Sequence, residues 1–119
     1  MRIVATRDDV HAGDEPDWIE FTAPEVTPFV DILRRAADRS WLPSIQGGRA
    51  TWSIVSNDVL ALLAYEWPDL RFMPFLDERF KTADCRHGAL RLHFNYHAQI
   101  DPETAYRLFC GLRLRASLP

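Results

Sequence analysis

The residues best suited to chemistry lie in one segment, between Asp84 and Asp101. This segment contains three of the four histidines and one of the two cysteines of the 119-residue chain. Imidazole and thiolate groups are the usual protein ligands of Zn²⁺. The segment therefore contains a candidate metal site made of Cys85, His87 and His93.

The spacing of the histidines argues against a simple metal site. Residues 89–97 alternate between apolar and polar side chains, which is the period of a β-strand. On a strand, His93 and His97 share a face but lie about 13 Å apart, at roughly 3.3 Å per residue. Zn²⁺ needs each ligand atom within about 2.3 Å, so these two histidines cannot bind the same ion. A metal site then requires Cys85 and His87 to fold back onto one strand histidine.

The polar side of this strand is a second candidate site. It carries a row of hydrogen-bonding side chains, which we call the polar row: Arg91, His93, Asn95 and His97. Three interpretations stay open, namely an ordinary solvated sheet face, a recognition surface and an acid–base site. In the acid–base interpretation His93 acts with Arg91 as an anion clamp, and His97 is a further candidate catalytic residue.

The sequence carries no motif that can be tied to a particular reaction. No serine stands in a nucleophile-elbow context, and no pair of carboxylates has a catalytic pattern. Gly47-Gly48 is not followed by the Lys-Ser/Thr of a phosphate-binding loop. Phe94 and Tyr96 fall on the apolar side of their strand, and the isoelectric point is about 5.7. Nucleic acid is therefore not expected as a direct partner.

Negative charge is concentrated toward the N-terminus. Residues 1–31 hold eight of the seventeen acidic residues but only two of the fourteen basic ones, in a chain of net charge −3. Five of these acids form a segment that we call the acidic arm: Asp8, Asp9, Asp14, Glu15 and Asp17. One interpretation is an ordinary solvated surface. The other is that the arm docks on a basic protein, with Trp18 as the anchoring side chain.

Length and composition indicate one domain over residues 1–119. A hydrophobic fraction of 47% is enough to build a core in a chain of this size. No apolar run reaches about 18 residues, and the N-terminus lacks the hydrophobic segment of a signal peptide. We therefore expect no membrane partner and a cytoplasmic location. Cys85 and Cys110 are expected to be reduced thiols there, and a disulfide between them is not implied.

The longest apolar stretch, Ala50–Trp67, has two interpretations. In the first it is a β-hairpin that turns at Asn57-Asp58 and pairs Ile54 with Ala61. In the second only the first part is a strand, and residues 59–66 form a helix. An apolar run of this kind fits a buried strand or a buried helix, and we favour the hairpin.

The remaining patterns complete the predicted fold. Strands are expected at residues 2–6, 18–21 and 90–97, with the first two paired as an edge hairpin. Helices are expected to begin at Thr27-Pro28 and after Asp101. Few helices and mostly adjacent strands predict the α+β class. We expect a mainly antiparallel sheet of about four to six strands, with two main helices packed on one face.

Together these features predict a non-enzymatic, bacterial, cytoplasmic protein-binding domain. Its most concrete form is an immunity protein that neutralises a basic toxin domain by occluding its surface. The alternative is a small enzyme or metal-binding domain that uses Cys85, His87, His93 and His97. A third interpretation is an accessory domain whose partner covers the apolar segment 72–80. No cofactor is expected, and neither the partner nor the oligomeric state follows from the sequence.

Overall fold

A computed structural model of the chain describes residues 1–9, 17–38, 41–43 and 48–117, and only the backbone of residues 112–117. The strands are β1 (Arg2–Arg7), β2 (Trp18–Thr22), β3 (Thr51–Ser56), β4 (Asp58–Ala64), β5 (Arg71–Phe72) and β6 (Ala89–Tyr96). The helices are α1 (Phe29–Ala36), α2 (Leu76–Phe80) and α3 (Pro102–Ser117), and a 3₁₀ turn (Arg86–Gly88) precedes β6. The predicted α+β class is confirmed.

The six strands form one sheet in the order β2-β1-β6-β3-β4-β5. Neighbouring strands are antiparallel except for β1 and β6, which run parallel with Thr6 opposite His93. The sheet is therefore mixed rather than purely antiparallel. The expected edge hairpin of β1 and β2 is present, with Ala5 opposite Ile19. The parallel pair brings the first and last strands together inside the sheet.

The central stretch forms the β3–β4 hairpin, so residues 59–64 are strand and not helix. The predicted pairing of Ile54 with Ala61 is present. Nearer the turn the register shifts, because Leu60 is an extra residue in β4 and forms a β-bulge. Leu60 is consequently buried in the same core as Ala61. Asn57 occupies the turn with a φ of 64°, a conformation that asparagine tolerates better than most residues.

The two faces of the sheet are covered by different helices. On one face, α1 contributes Ile32, Leu33 and Ala36 to the main core. The strands contribute the inward side chains of that core: Ile3, Ala5, Trp52, Ile54, Leu63, Leu90, Leu92 and Phe94. On the opposite face, Ala105 of α3 packs with Leu62 of β4 in a second, smaller core.

The two main helices thus lie on opposite faces of the sheet. The prediction from the sequence, that both helices pack on one face, is therefore wrong. The reason is that the alternating Leu62 and Leu63 of β4 point to opposite faces, and both are buried. A strand that is apolar on both sides needs cover on both sides. α3 packs mainly on β4, and in the described part of the chain no helix packs over β1 and β2 on this face.

The ends of the helices agree with the sequence patterns in outline. α1 begins at Phe29, next to the expected start at Thr27-Pro28, and α3 begins directly after Asp101 as expected. The Asp101 carboxylate caps α3, since it accepts hydrogen bonds from the Thr104 N–H at 3.0 Å and the Thr104 hydroxyl at 2.7 Å. These bonds hold the pKa of Asp101 below its ordinary value. No helix in the described part of the chain has the length and apolarity to cross a membrane.

Arg79 of α2 is a buried charge, with 1% of its side chain exposed. Its guanidinium donates to the carbonyl oxygens of Pro74 at 2.9 Å and Val59 at 2.7 Å, and it lies 3.3 Å from Asp58 Oδ1. These contacts connect α2 to the start of β4. Burying a cation costs several kcal/mol unless such partners offset the lost hydration.

Replacing Arg79 with Met should lower the free energy of unfolding by about 3 kcal/mol, because two carbonyl groups and Asp58 lose their partner. Urea denaturation measures this change. Arg34→Met is the matched control, since the Arg34 guanidinium bonds Asp69 at the exposed surface of α1, and it should lower the stability much less. Equal losses in the two variants would contradict the structural role of Arg79.

Candidate functional site

On the face that carries α3, no helix among the described residues covers β2, β1 and β6. Directly paired residues stand side by side across strands, and one such row runs from Trp18 through Thr6 and His93 to Val55. Trp18 is 54% exposed, and Thr6 is also exposed. We call this uncovered part of the sheet the open face, and it comprises Val4, Thr6, Trp18, Glu20, Arg91 and His93.

Three side chains at the open face form a hydrogen-bonded chain, which we call the relay. His93 Nδ1 lies 2.7 Å from Thr6 Oγ1, and His93 Nε2 lies 2.8 Å from Asp8 Oδ1. The second carboxylate oxygen of Asp8 accepts the backbone N–H of Tyr96 at 2.8 Å. Thr6 and His93 meet because the parallel register places them opposite each other. Asp8 completes the relay because it directly follows β1.

The relay contains an ionised carboxylate. Burial by itself raises the pKa of Asp8, but the hydrogen bonds from His93 and from the Tyr96 N–H outweigh it. The pKa of Asp8 therefore lies below its ordinary value, since bonds to the charged form favour ionisation. At neutral pH the Asp8 carboxylate is therefore ionised, and it is held in place by the backbone and by the His93 imidazole.

His97 lies apart from the rest of the polar row. Its Nε2 is 2.8 Å from Ser53 Oγ, and its ring lies 5.5 Å from the ring of Phe109 in α3. Burial lowers the pKa of His97, and the attraction of Asp8 offsets only part of this effect. His97 is therefore neutral at neutral pH, and it joins α3 to the sheet instead of contributing to the open face.

A groove of about 270 Å³ lies at one side of the open face and shares Val4, Thr6, Arg91 and His93 with it. Its lining includes Thr6, His93 and Arg91 from the sheet, and Asp84 and Arg86 from the segment before β6. Arg86 donates two hydrogen bonds of 2.9 Å to the carboxylate of Asp84. Arg91 donates from Nε to the carbonyl oxygen of Arg86 at 3.2 Å. Two arginines and a histidine thus border the groove.

The predicted metal ligands do not come together. In the ranges that the structure describes, which include Cys85, His87 and His93, no three side chains of His, Cys, Asp or Glu are grouped to hold a metal ion. Cys85 and His87 are exposed at the 3₁₀ turn, where His87 has a φ of 59°. The side chains of both residues face solvent. Cys85 and Cys110 are both free thiols.

The described residues of the acidic arm, Asp8, Asp9 and Asp17, border the open face. Asp9 and Asp17 are exposed, and the Arg7 N–H donates to the Asp17 carbonyl oxygen at 3.2 Å. This bond places both ends of the arm at the same end of β1 and β2. Asp14 and Glu15 lie outside the described residues. The arm and the polar row, which were separate candidates in the sequence, therefore adjoin one surface.

The sequence patterns missed Thr6, Asp84 and Arg86. Thr6 lies 87 positions from His93, and a pairing over that distance leaves no local signal. Asp84, in contrast, takes part in a local contact that leaves a signal in the sequence. Its carboxylate accepts the backbone N–H of Arg86 at 3.2 Å. Aspartate commonly bonds the backbone two residues further on, so a turn at this position could have been predicted.

Replacing His97 with Gln should make the protein less sensitive to acid. The pKa of His97 lies below its ordinary 6.5 in the folded state, so the unfolded chain binds this proton more readily. Stability is therefore present above the unfolded pKa and is lost as the pH falls below it. Urea denaturation at about pH 7.5 and about pH 5 should show a smaller loss in His97→Gln than in the parent. An equal loss would contradict this assignment.

The open face thus carries the exposed indole of Trp18 and the hydrogen-bonded imidazole of His93. The ionised carboxylate of Asp8 adjoins it, as does the groove that contains the guanidinium of Arg91. The functional interpretation depends on this chemistry and on the charge of the adjoining arm. Comparison with known proteins adds no family assignment: no protein-family model, no curated protein and no solved structure matches the chain.

Proposed function

We propose that this domain is a non-enzymatic binding protein that works by occupying the surface of a basic protein partner. In its most concrete form it is an immunity protein that neutralises a toxin domain inside a bacterial cell. One observation carries the proposal: the exposed Trp18, the ionised Asp8 and His93 of the polar row adjoin a single sheet surface that no described helix covers.

Trp18 supplies the anchor of this surface. Tryptophan is highly buried on average, yet Trp18 is 54% exposed on the edge strand β2. Exposed aromatic side chains surrounded by polar groups are typical centres of binding energy. Glu20, the next residue on the same face, is ion-paired with Arg2 of β1. An indole with a polar rim is therefore available to a partner.

The area of the open face can be compared with the area that a stable protein–protein interface buries. Three strands spaced about 4.8 Å apart, with five residues of roughly 3.3 Å each, span on the order of 14 by 17 Å. A stable interface buries roughly 800 Å² on each partner, which is about three times this area. The open face can therefore form only the centre of an interface. In this proposal the acidic arm contributes much of the remainder, beginning with Asp9 and Asp17 beside the open face.

The negative charge beside the open face indicates which class of protein the domain binds. Asp8 is ionised, and Asp9 and Asp17 are exposed beside it. Arg2 does not compensate this charge, because it is already paired with Glu20. Arg91 lies opposite Val4, further from the end of β1 that Asp8 follows. A partner with a basic surface gains both attraction and faster encounter from such a cluster.

An enzymatic alternative keeps one observation in its favour. The relay has the carboxylate–imidazole–hydroxyl order of sites that activate a nucleophile, with Thr6 as the hydroxyl. A turnover that is lost in His93→Ala and in Thr6→Ala but retained in Thr6→Ser would favour it. The metal-binding form of the alternative has no such support within the described ranges.

The first step of the test is to capture the partner. A tagged domain is incubated with lysate of the source organism at low and at high salt, and bound proteins are identified by mass spectrometry. We expect a stoichiometric basic protein that is released at high salt, since screening weakens exposed charge pairs. Capture must also be reduced in Trp18→Ala. A protein retained equally by the parent and by Trp18→Ala would contradict the proposed surface.

Variants of the arm and of the anchor should then affect different rate constants. Asp9→Lys combined with Asp17→Lys should slow association about tenfold or more at low salt, because electrostatic steering is lost. Trp18→Ala should instead speed dissociation about thirtyfold, which corresponds to about 2 kcal/mol for an anchoring residue. Surface plasmon resonance measures both rate constants.

The matched control is Asp31→Lys combined with Asp77→Lys. These acids are exposed on α1 and α2, which meet through the stacked rings of Phe29 and Phe80 on the side of the main core. The control changes the net charge by the same amount but leaves the open face intact, so it should slow association much less. Equal slowing by both double variants would show that the acidic arm has no specific role.

A further inference from the structure

The groove beside the open face contains an arginine with unused hydrogen-bond donors. The Arg91 backbone N–H donates to the Asp84 carbonyl oxygen at 2.8 Å, and its Nε donates to the Arg86 carbonyl oxygen at 3.2 Å. The terminal nitrogens of Arg91 make no hydrogen bond or ion pair with any residue that the structure describes. A guanidinium carries five N–H donors, so most of those of Arg91 are available to a ligand.

The other charged groups along the groove already have partners. Arg86 lies 2.9 Å from the Asp84 carboxylate, and both ring nitrogens of His93 are within the relay. The hydrogen bond from Arg86 also holds the pKa of Asp84 below its ordinary value, so the pair stays charged and locally neutral. Among the described residues, Arg86, Arg91 and Asp84 thus leave the groove with one excess positive charge.

The lining of the groove indicates which anion would fit. A planar guanidinium matches a carboxylate through two parallel N–H···O bonds. Val4 and Val55 also line the groove, and they offer an apolar surface to a hydrocarbon chain. The volume of about 270 Å³ lies just under the range of about 300–1,000 Å³ for sites that take drug-sized molecules. The ligand must therefore be small.

We propose that the groove binds a small carboxylate with a short apolar chain. The carboxylate pairs with Arg91, and the chain lies against Val4 and Val55. This inference does not rest on the protein-binding function, because a small ligand can occupy the groove of the isolated domain. A failure of the titration below would leave the partner kinetics untouched, and the reverse also holds.

The test is a titration followed by ¹H–¹⁵N NMR, with butyrate as the probe and butyramide as its neutral analogue. Butyrate should cause saturable shifts at the Arg91 Nε–H and at the amides of Val4 and Val55, with a millimolar dissociation constant. Butyramide should not cause these shifts. Arg91→Gln should raise the dissociation constant for butyrate about tenfold or more, because the charge-assisted pair is lost.

Two further variants make the titration decisive. Arg91→Lys keeps the charge without the planar guanidinium and should weaken butyrate binding less than Arg91→Gln does. If Arg91→Gln does not fold, the comparison of Arg91→Lys with the parent tests the proposal, and Arg91→Lys should bind butyrate more weakly. Arg107→Gln, exposed on α3, is the matched control and should bind butyrate as the parent does. Equal shifts with butyrate and butyramide, or unchanged affinity in both Arg91 variants, would overturn the proposal. Tighter binding of inorganic phosphate than of butyrate would overturn the assignment to a carboxylate.

Discussion

The parallel pairing of β1 with β6 is the constraint on which the rest of the structure depends. It joins strands whose facing residues Thr6 and His93 are 87 positions apart. A slip of one residue would turn the side chains of β6 to the opposite face. Arg91 and His93 would then enter the main core, and Phe94 would be exposed. The hydrophobic alternation of β6 therefore sets the register, and the register builds the relay and positions Arg91 in the groove.

The unequal cover of the sheet follows from the same alternation. β4 is apolar on both sides, with Leu62 and Leu63 buried in different cores, so a helix is stabilised on each of its faces. On the side of α3, β1 and β6 present Thr6, Arg91 and His93, and burying such groups without partners is unfavourable. Nothing therefore favours extending the helix cover over these strands. The surface that results is open because of its composition, which is why it is available for binding.

Local patterns were sufficient to predict most elements, and they failed where distant residues decide. Alternation predicted β6, and the hairpin in the central stretch was predicted with the correct pairing away from its turn. The bulge at Leu60, the parallel partner of β6 and the opposite placement of α3 depend on packing that no local pattern encodes. The candidate site was predicted in part. Asp8 and His93 were singled out for unrelated reasons, whereas Thr6, which joins them in the relay, carried no signal.

The proposed function requires that the partner binds the open face and not the side covered by α1. Methyl and indole cross-saturation NMR on the complex with the captured partner distinguishes these two surfaces. We expect saturation transfer to Trp18, Thr6 and Val4, with the signals of Val30 in α1 and Leu76 in α2 unaffected. Transfer confined to Val30 and Leu76 would contradict it.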